Sequence, residues 1–166
     1  MKDQTCCFIG PRYIPVSEYS ALDQRLEDEM ETLIHQGVRY FRAGGAQGFD
    51  TMAAFAVLRL RLLYPHIRLI LDLFCKNQTR GWDRPNKKIY NLILRQADEV
   101  VCVSKKYIQD CIEKRDEHLV NSSSICICYL ANQKSVTAYK VNCAKRQGLR
   151  VINIAAADRG DKEGTS

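Results

Sequence analysis

The sequence has no long apolar run. Charged residues interrupt its hydrophobic stretches, as in 59-RLRLLYPHIRLILDLF-74, well short of the roughly 20 residues that a membrane span requires. The first residues, MKDQTCCFIG, also lack the apolar core and small-residue cleavage site of a secretory signal. Neither a membrane association nor export is therefore predicted, and we expect a cytoplasmic address.

The sequence also lacks any Cys-x-x-Cys pair, although it contains eight cysteines. Its three histidines are not spaced as zinc ligands, and most of the cysteines fall inside predicted strands. Free cysteine behaves as a small buried hydrophobe. We therefore interpret these residues as reduced core thiols, and expect neither a metal site nor a disulfide framework.

Length and charge limit the remaining classes. A chain of 166 residues supports one well-buried core, so we predict a single domain over residues 1–154 and a flexible, patternless tail over 155–166. Lys and Arg number 25 against 19 Asp and Glu, but these charges are scattered along the chain. Nucleic-acid binders usually gather such charge on one face, so the excess predicts only a modest attraction for anions.

The hydrophobic pattern alternates between short strands and helices. Six segments read as strands, and helical periodicity fills the intervals between them: the predicted strands are 5–9, 39–43, 67–74, 99–103, 125–129 and 150–154. We expect Ser17 to cap the first helix and Gly37 to end it. A long polar connection is predicted over 75–88, before the third helix.

This order predicts an α/β fold, namely a single Rossmann-like three-layer α/β/α domain with a mainly parallel, doubly wound sheet. The ligand crevice of such a sheet lies beyond the carboxyl ends of its strands, where the winding reverses. Loops that follow strands are therefore the places to look for functional residues.

Two of these loops contain glycines. In 10-GPR-12, Gly10 permits a sharp turn and Arg12 offers a charged donor fork suited to phosphate or carboxylate. In 41-FRAGGAQGFDTMAA-54, three glycines precede a helix, where bare backbone either approaches an oxyanion or makes only a tight turn. Asp50 there is expected to cap the helix or to accept a ribose hydroxyl. The G-G-x-x-G spacing is neither the dinucleotide fingerprint nor the P-loop.

A third loop, 76-KNQTRGWDRPNK-87, holds the only tryptophan, Trp82. An aromatic side chain in a polar loop of this kind is well placed to stack on a base. The competing interpretation is that the indole folds back onto the domain and anchors the loop.

In this order, the motifs resemble a known family. FIGPR, GGAQGFDTMAA, a Q-x-x-x-W loop and the later YIQDCIEKRDEHLVNSS are together similar to the YpsA-type branch of the SLOG superfamily. That superfamily groups Rossmann-like domains related to the cytokinin-activating phosphoribohydrolase LOG and to the DNA-processing protein DprA. The resemblance runs from about Thr5 to Ile154.

The resemblance implies a small-molecule partner: a nucleotide or nucleotide derivative of the ADP-ribose, NAD or nucleoside monophosphate type. The implied ligand-binding residues are Gly10, Arg12, Gly44, Gly45, Gly48, Asp50, Thr51, Gln78, Trp82, Arg115 and Thr137. Two loops depart from the branch pattern. Pro11-Arg12-Tyr13 stands where the branch commonly has His-Arg-Pro, and Ser135 and Val136 replace two glycines of the last loop, which weakens the phosphate contact expected there.

The absence of one glutamate argues against LOG-type catalysis. LOG-type cleavage uses the glutamate of P-G-G-x-G-T-x-x-E, but 48-GFDTMAAFAV-57 contains none, and Asp50 is its sole carboxylate. We therefore expect a protein that senses or sequesters its ligand, with no assigned catalytic residue.

Two alternatives stay open. One is a LOG-like enzyme that cleaves or transfers a nucleoside-linked group, with Asp50 and Arg115 near the reacting bond. The other is DprA-like binding of single-stranded DNA, although one tryptophan and scattered charge argue against a nucleic-acid partner. Related Rossmann-like proteins often pair, which leaves a homo-oligomer open.

Overall fold

The structure is a computed structural model that describes residues 1–74, 77–103 and 111–155. Within these ranges the chain alternates strands and helices, as predicted. The strands are β1 (Thr5–Ile9), β2 (Tyr40–Ala43), β3 (Arg68–Leu73), β4 (Glu99–Cys102), β5 (Ile125–Cys128) and β6 (Arg150–Asn153). The helices are α1 (Tyr19–His35), α2 (Phe49–Leu63), α3 (Arg84–Gln96), α4 (Cys111–Asn121) and α5 (Val136–Arg146), with short 3₁₀ turns at Lys2–Gln4 and Val16–Glu18.

The six strands form one sheet in the order β4-β3-β2-β1-β5-β6, and every pairing is parallel. The chain winds outward from β1 to β4 and then returns to the other side of β1, so the winding reverses between β1 and β5. In the central strand, Cys7 pairs with Arg42 of β2 and with Cys126 of β5. The doubly wound parallel sheet predicted from the sequence is confirmed.

Helices cover both faces of the sheet. Helices α1, α2 and α3 pack on one face, where Phe8, Phe41 and Leu71 are buried. Helices α4 and α5 pack on the other, where Cys7 and Cys128 are buried. This confirms the three-layer architecture, and it places these thiols in the core, where burial raises the pKa of Cys128 to about 12.

Two local predictions were wrong. Ser17 does not cap α1, because Val16–Glu18 forms a 3₁₀ turn that runs straight into the helix. The polar connection before α3 is shorter than predicted, because the Asp83 carboxylate accepts a hydrogen bond from the Asn86 N–H and Pro85 fits the first turn.

Two further sequence predictions concern membrane spans and the C-terminal tail. Among the residues that the structure describes, no helix is long and apolar enough to cross a membrane. The predicted flexible tail falls, from residue 156 onward, outside the described residues and stays a prediction.

Candidate functional site

A cavity of about 270 Å³ opens at the carboxyl ends of β1 and β3, next to the point where the winding reverses. It is lined by six of the residues that the sequence singled out: Gly10, Arg12, Asp50, Gln78, Trp82 and Arg115. They come from two post-strand loops and from α2 and α4, so the fold brings together residues that are up to 105 positions apart. The position agrees with the crevice rule for doubly wound sheets.

The other five predicted residues lie elsewhere. Gly45 and Thr51 line a second, much smaller space of about 10 Å³, on the α2 and α3 side of the cavity. Gly44 and Gly48 pack against protein atoms, and Thr137 is buried in α5 and lines neither space. The sequence had placed all five directly on a ligand.

Protein atoms occupy the room that these glycines leave. A Cβ at Gly44 would lie 2.5 Å from Arg115 Nη1, and one at Gly45 would lie 2.9 Å from Gln78 Nε2. A Cβ at Gly48 would overlap the carbonyl of Arg12, and one at Gly10 would overlap the ring of Phe49. Four glycines therefore let the first two loops pack on each other and on α4 and the third loop.

Gln78 ties two loops together. Its side-chain oxygen accepts a hydrogen bond from the Phe74 N–H at 3.0 Å. Its amide nitrogen donates to the carbonyls of Gly44 at 3.3 Å and Gly45 at 3.2 Å. The side chain is buried, and these bonds engage both ends of the amide. Gln78 lines the cavity, but its hydrogen bonds hold the second loop against the third.

Two cations and a carboxylate form one wall of the cavity. Arg115 donates from Nη1 to the Gly44 carbonyl at 2.7 Å and from Nε to Asp116 Oδ1 at 2.7 Å. The other oxygen of Asp116 lies 3.1 Å from Lys140 Nζ. Asp116 therefore fixes Arg115 of α4 and Lys140 of α5 side by side, and both face the cavity.

Arg12 is a third cation at the cavity, and it differs from the other two. Its side chain is exposed, and within the described ranges it has no hydrogen bond or ion pair. With Asp116 and Asp50 both ionised, the lining carries one net positive charge, and protonation of Asp50 raises this to two. The cavity is therefore suited to an anion.

Asp50 is the buried acid of the site. It lies in the first turn of α2 but does not cap the helix, because Gly48 occupies the cap position. Its carboxylate accepts a hydrogen bond from the Ala46 N–H at 3.2 Å. Burial raises the pKa of Asp50 to about 6, although the nearby Arg115 guanidinium opposes the shift. This carboxyl group therefore changes its charge near neutral pH.

Trp82 stands between the cavity and α3. Its indole meets the Tyr90 ring edge to face, with the ring centroids 5.5 Å apart. The side chain is half-buried and lines the cavity, so it packs on the domain and also presents a surface to a ligand. Across the cavity, the Arg115 guanidinium lies 6.0 Å from the centroid of the Phe74 ring.

Aromatic rings form the floor below. Phe8 stacks on Phe41 with centroids 6.1 Å apart and meets Phe49 edge to face at 6.3 Å. Phe49 lies 6.4 Å from Tyr129, whose hydroxyl donates to the Glu18 carboxylate at 2.7 Å. These rings join β1, β2 and α2 to the residue that follows β5, and Phe8 lines the cavity.

The last loop is closed by its own residues. Ser135 caps α5, and its Oγ accepts from the Ala138 N–H at 3.2 Å and donates to the Asn132 carbonyl at 2.6 Å. The narrowing predicted from Ser135 and Val136 therefore takes the form of a helix cap. The cation of this unit that lines the cavity is Lys140, which lies one turn inside α5 and therefore outside the post-strand loops in which the sequence placed the site.

A buried ion pair lies under α4. Arg42 Nη1 donates to both oxygens of Asp72, at 2.7 and 3.0 Å, and His118 Nε2 lies 3.5 Å from the same carboxylate. Asp72 is fully buried, and burial raises its pKa while Arg42 lowers it. This cluster supports the helix that carries Arg115.

The match to a family model agrees with this geometry. The YpsA model, described as the YspA SLOG family, matches residues 16–154, which is most of the chain. The chain belongs to the YspA SLOG family. The resemblance that the loop motifs carried is thereby confirmed.

Curated relatives of this SLOG chain are bacterial. It is 28% identical over 130 residues to a UPF0398 protein of Halalkalibacterium halodurans, covering 76% of this chain and 68% of that one. It is also 28% identical over 141 residues to the SPbeta prophage-derived protein YoqJ of Bacillus subtilis, covering 77% and 82%.

A solved structure supports the fold of this SLOG chain. DNA processing protein A from Helicobacter pylori, whose structure describes a single-stranded DNA binding mode, superimposes with a TM-score of 0.65 at 18% identity. The match covers 90% of this chain and 64% of that protein, so the chain spans less than two thirds of it. At this identity the likeness concerns the fold alone.

Proposed function

We propose that this protein binds a nucleotide or a nucleotide derivative in the 270 Å³ cavity, and that it senses or sequesters this ligand without cleaving it. One observation carries the proposal: the fold gathers three cations, a buried acid and an indole around a single cavity at the carboxyl ends of the sheet. Convergent polar groups in such a cavity are the usual mark of a small-molecule site.

Each group has a matching part of a nucleotide. Arg12, Arg115 and Lys140 offer charged donors for a phosphate. The flat face of Trp82 suits a base, since aromatic side chains stack on any base. Asp50 is an acceptor for a ribose hydroxyl, a role that carboxylates have in many Rossmann-like sites.

The volume favours a small ligand. Pockets for drug-sized molecules usually measure roughly 300–1,000 Å³, and this cavity, at about 270 Å³, lies just below that range. Among the ligand types implied by the sequence, a nucleoside monophosphate therefore fits better than NAD or ADP-ribose.

Substitution of Arg12 tests whether the cavity binds an anion. Calorimetric titration with adenosine monophosphate is expected to give saturable binding, and Arg12→Ala is expected to weaken it about tenfold, because a charge-assisted hydrogen bond is lost. Arg80→Ala is the matched control: Arg80 is also exposed and belongs to a neighbouring loop, but it does not line the cavity. An equal loss of affinity in both variants would mean that only general charge matters.

Cleavage is the second candidate, and Asp50 is the observation that favours it. A buried carboxyl group with a pKa of about 6 is suited to proton transfer near neutral pH. Product analysis after incubation with nucleoside monophosphates separates the two candidates. Release of free base or of ribose 5-phosphate by the wild type, abolished in Asp50→Asn, would replace sensing by catalysis.

Single-stranded DNA is the third candidate, favoured by the fold that the chain shares with DNA processing protein A. Tyr13 is 77% exposed beside Arg12, so one aromatic ring and one cation are available on the surface. Salt-dependent binding of an oligonucleotide by a protein that ignores mononucleotides would support this candidate over the proposal.

A further inference from the structure

Two spaces share one wall. The larger cavity and the small space beside it have only Ala46, Asp50 and Trp82 in common among their described lining residues. Ala46 and Asp50 belong to the tightly packed second loop, where Asp50 accepts from the Ala46 N–H. The indole of Trp82 is therefore the large, removable part of this wall.

The smaller space measures about 10 Å³, which is room for about one water molecule. It lies between α2 and α3, and its lining combines polar side chains with apolar ones. The polar groups are Gln47, Thr51 and Asn86, and the apolar ones include Ile89 and Ile93. The space is too small for a ribose by itself, so room for one would come from the volume that the indole occupies, and these amide and hydroxyl groups would then line it.

The preceding loop and α3 both hold Trp82 in place. Its ring packs edge to face on Tyr90, and the next residue, Asp83, begins α3 through its cap to Asn86. On the other side, Gly81 has a φ of +85°, and a Cβ placed there would contact nothing within 4 Å. The loop before Trp82 holds its backbone, because the Trp82 N–H donates to the Thr79 carbonyl at 2.9 Å, while the ring packs on Tyr90 of α3.

We propose that Trp82 limits the length of the ligand. With the indole in place, the larger cavity accepts one nucleoside phosphate unit, and the space beyond is closed to a second unit. Without it, the two spaces join and the site accepts a ligand made of two linked units. This inference rests on the proposed nucleotide binding and names the residue that selects between its ligand classes.

The test compares adenosine monophosphate with ADP-ribose, which adds a ribose phosphate to the same unit. Calorimetric titration of Trp82→Ala is expected to raise the affinity for ADP-ribose relative to adenosine monophosphate by about tenfold over the wild type. Trp82→Phe, which keeps a ring against Tyr90, is expected to leave the relative affinity near that of the wild type. Trp82→Leu fills only part of the wall and is expected to fall between them; it carries the test if the alanine variant does not fold.

A second substitution tests where the added ribose phosphate of ADP-ribose binds. Ile89 lines only the smaller space, so Ile89→Trp in the Trp82→Ala background adds a ring from that side into the volume that the Trp82 indole vacates. It is expected to restore the wild-type preference. If ADP-ribose binding stays improved in this double variant, the second unit lies elsewhere and the inference is overturned.

Fluorescence gives an independent readout, because Trp82 is the only tryptophan. Adenosine monophosphate is expected to change its emission on binding to the wild type. Binding that calorimetry detects without any change in emission, or an unchanged preference in Trp82→Ala, would refute the role of Trp82 and leave nucleotide binding intact. A wild type that binds neither nucleotide would refute the proposed function itself.

Discussion

Gly48 offers the sharpest prediction, because it decides whether a glycine of the second loop serves a ligand or the fold. Its φ of +78° lies in the region that L side chains rarely adopt, and a Cβ there would overlap the carbonyl oxygen of Arg12. The first loop is held at this point by a hydrogen bond from the Phe49 N–H to the Pro11 carbonyl, at 3.0 Å. Gly48→Ala must therefore strain the backbone and also push the two loops apart.

The expected cost follows from these two effects. A backbone with this positive φ costs about 1–3 kcal/mol for a residue with a Cβ, and forcing an extra carbon into a packed contact costs about 1–3 kcal/mol. Gly81 is the matched control, since its φ is +85° but its Cβ position is open. We expect Gly81→Ala to lose about 1–3 kcal/mol of unfolding free energy, and Gly48→Ala to lose about 2 kcal/mol more.

Urea denaturation of the ligand-free proteins measures both values. A phosphate-approach role would leave the two variants equally stable without ligand, and would reduce only the affinity of Gly48→Ala for a nucleotide. A difference in unfolding free energy below about 1 kcal/mol would therefore refute the packing role of Gly48.

Three further predictions concern the polar groups around the site. The pKa of the Asp50 carboxyl is about 6 in the folded protein, against an ordinary value of 3.8. The protonated carboxyl therefore stabilises the fold by about 3 kcal/mol below pH 4, and this contribution is lost as the pH rises through 6. Asp50→Asn should remove this part of the pH dependence of the unfolding free energy in urea denaturation, and an unchanged pH profile would contradict the burial argument. Gln78→Ala removes one hydrogen bond from each of three backbone groups and should cost about 2–4 kcal/mol by the same assay, whereas the exposed Gln133→Ala should have no measurable effect. Asp72→Asn should lower the unfolding free energy by about 3 kcal/mol, because it leaves the Arg42 charge buried without its carboxylate. Arg59→Ala, which breaks an exposed pair with Glu27, should lower it by less than about 1 kcal/mol. Similar losses in these two variants would argue against the burial of the Arg42 pair.

Hydrophobic pattern was enough to predict the fold. The run 67-IRLILDLF-74 became β3 within one residue at each end, and the alternation of strands and helices fixed the parallel winding. The error at Ser17 has a tertiary cause. The neighbouring Glu18 accepts from the hydroxyl of Tyr129, 111 residues away, so a local capping rule could not foresee the turn there.

Part of the candidate site could be predicted from the order of strands and loops. Gly10 and Arg12 could be placed at the cavity, because loops that follow parallel strands meet at one edge. What each glycine accommodates could not be predicted, since Gly44 makes room for Arg115, which is 71 positions further along the chain. Lys140 was missed because nothing in the sequence of α5 says which of its polar residues turns toward α4.

The aromatic floor has a consequence for how such a site can diverge. Phe8, Phe41 and Phe49 join the central strands to α2, and the ring of Phe49 leaves no room for a Cβ at Gly10. The floor therefore fixes where the loops leave the sheet, while Arg12 and Trp82 project above it. Substitutions at these two positions leave the aromatic floor, and with it the fold, intact. Proteins with closely similar backbones can therefore come to recognise different molecules.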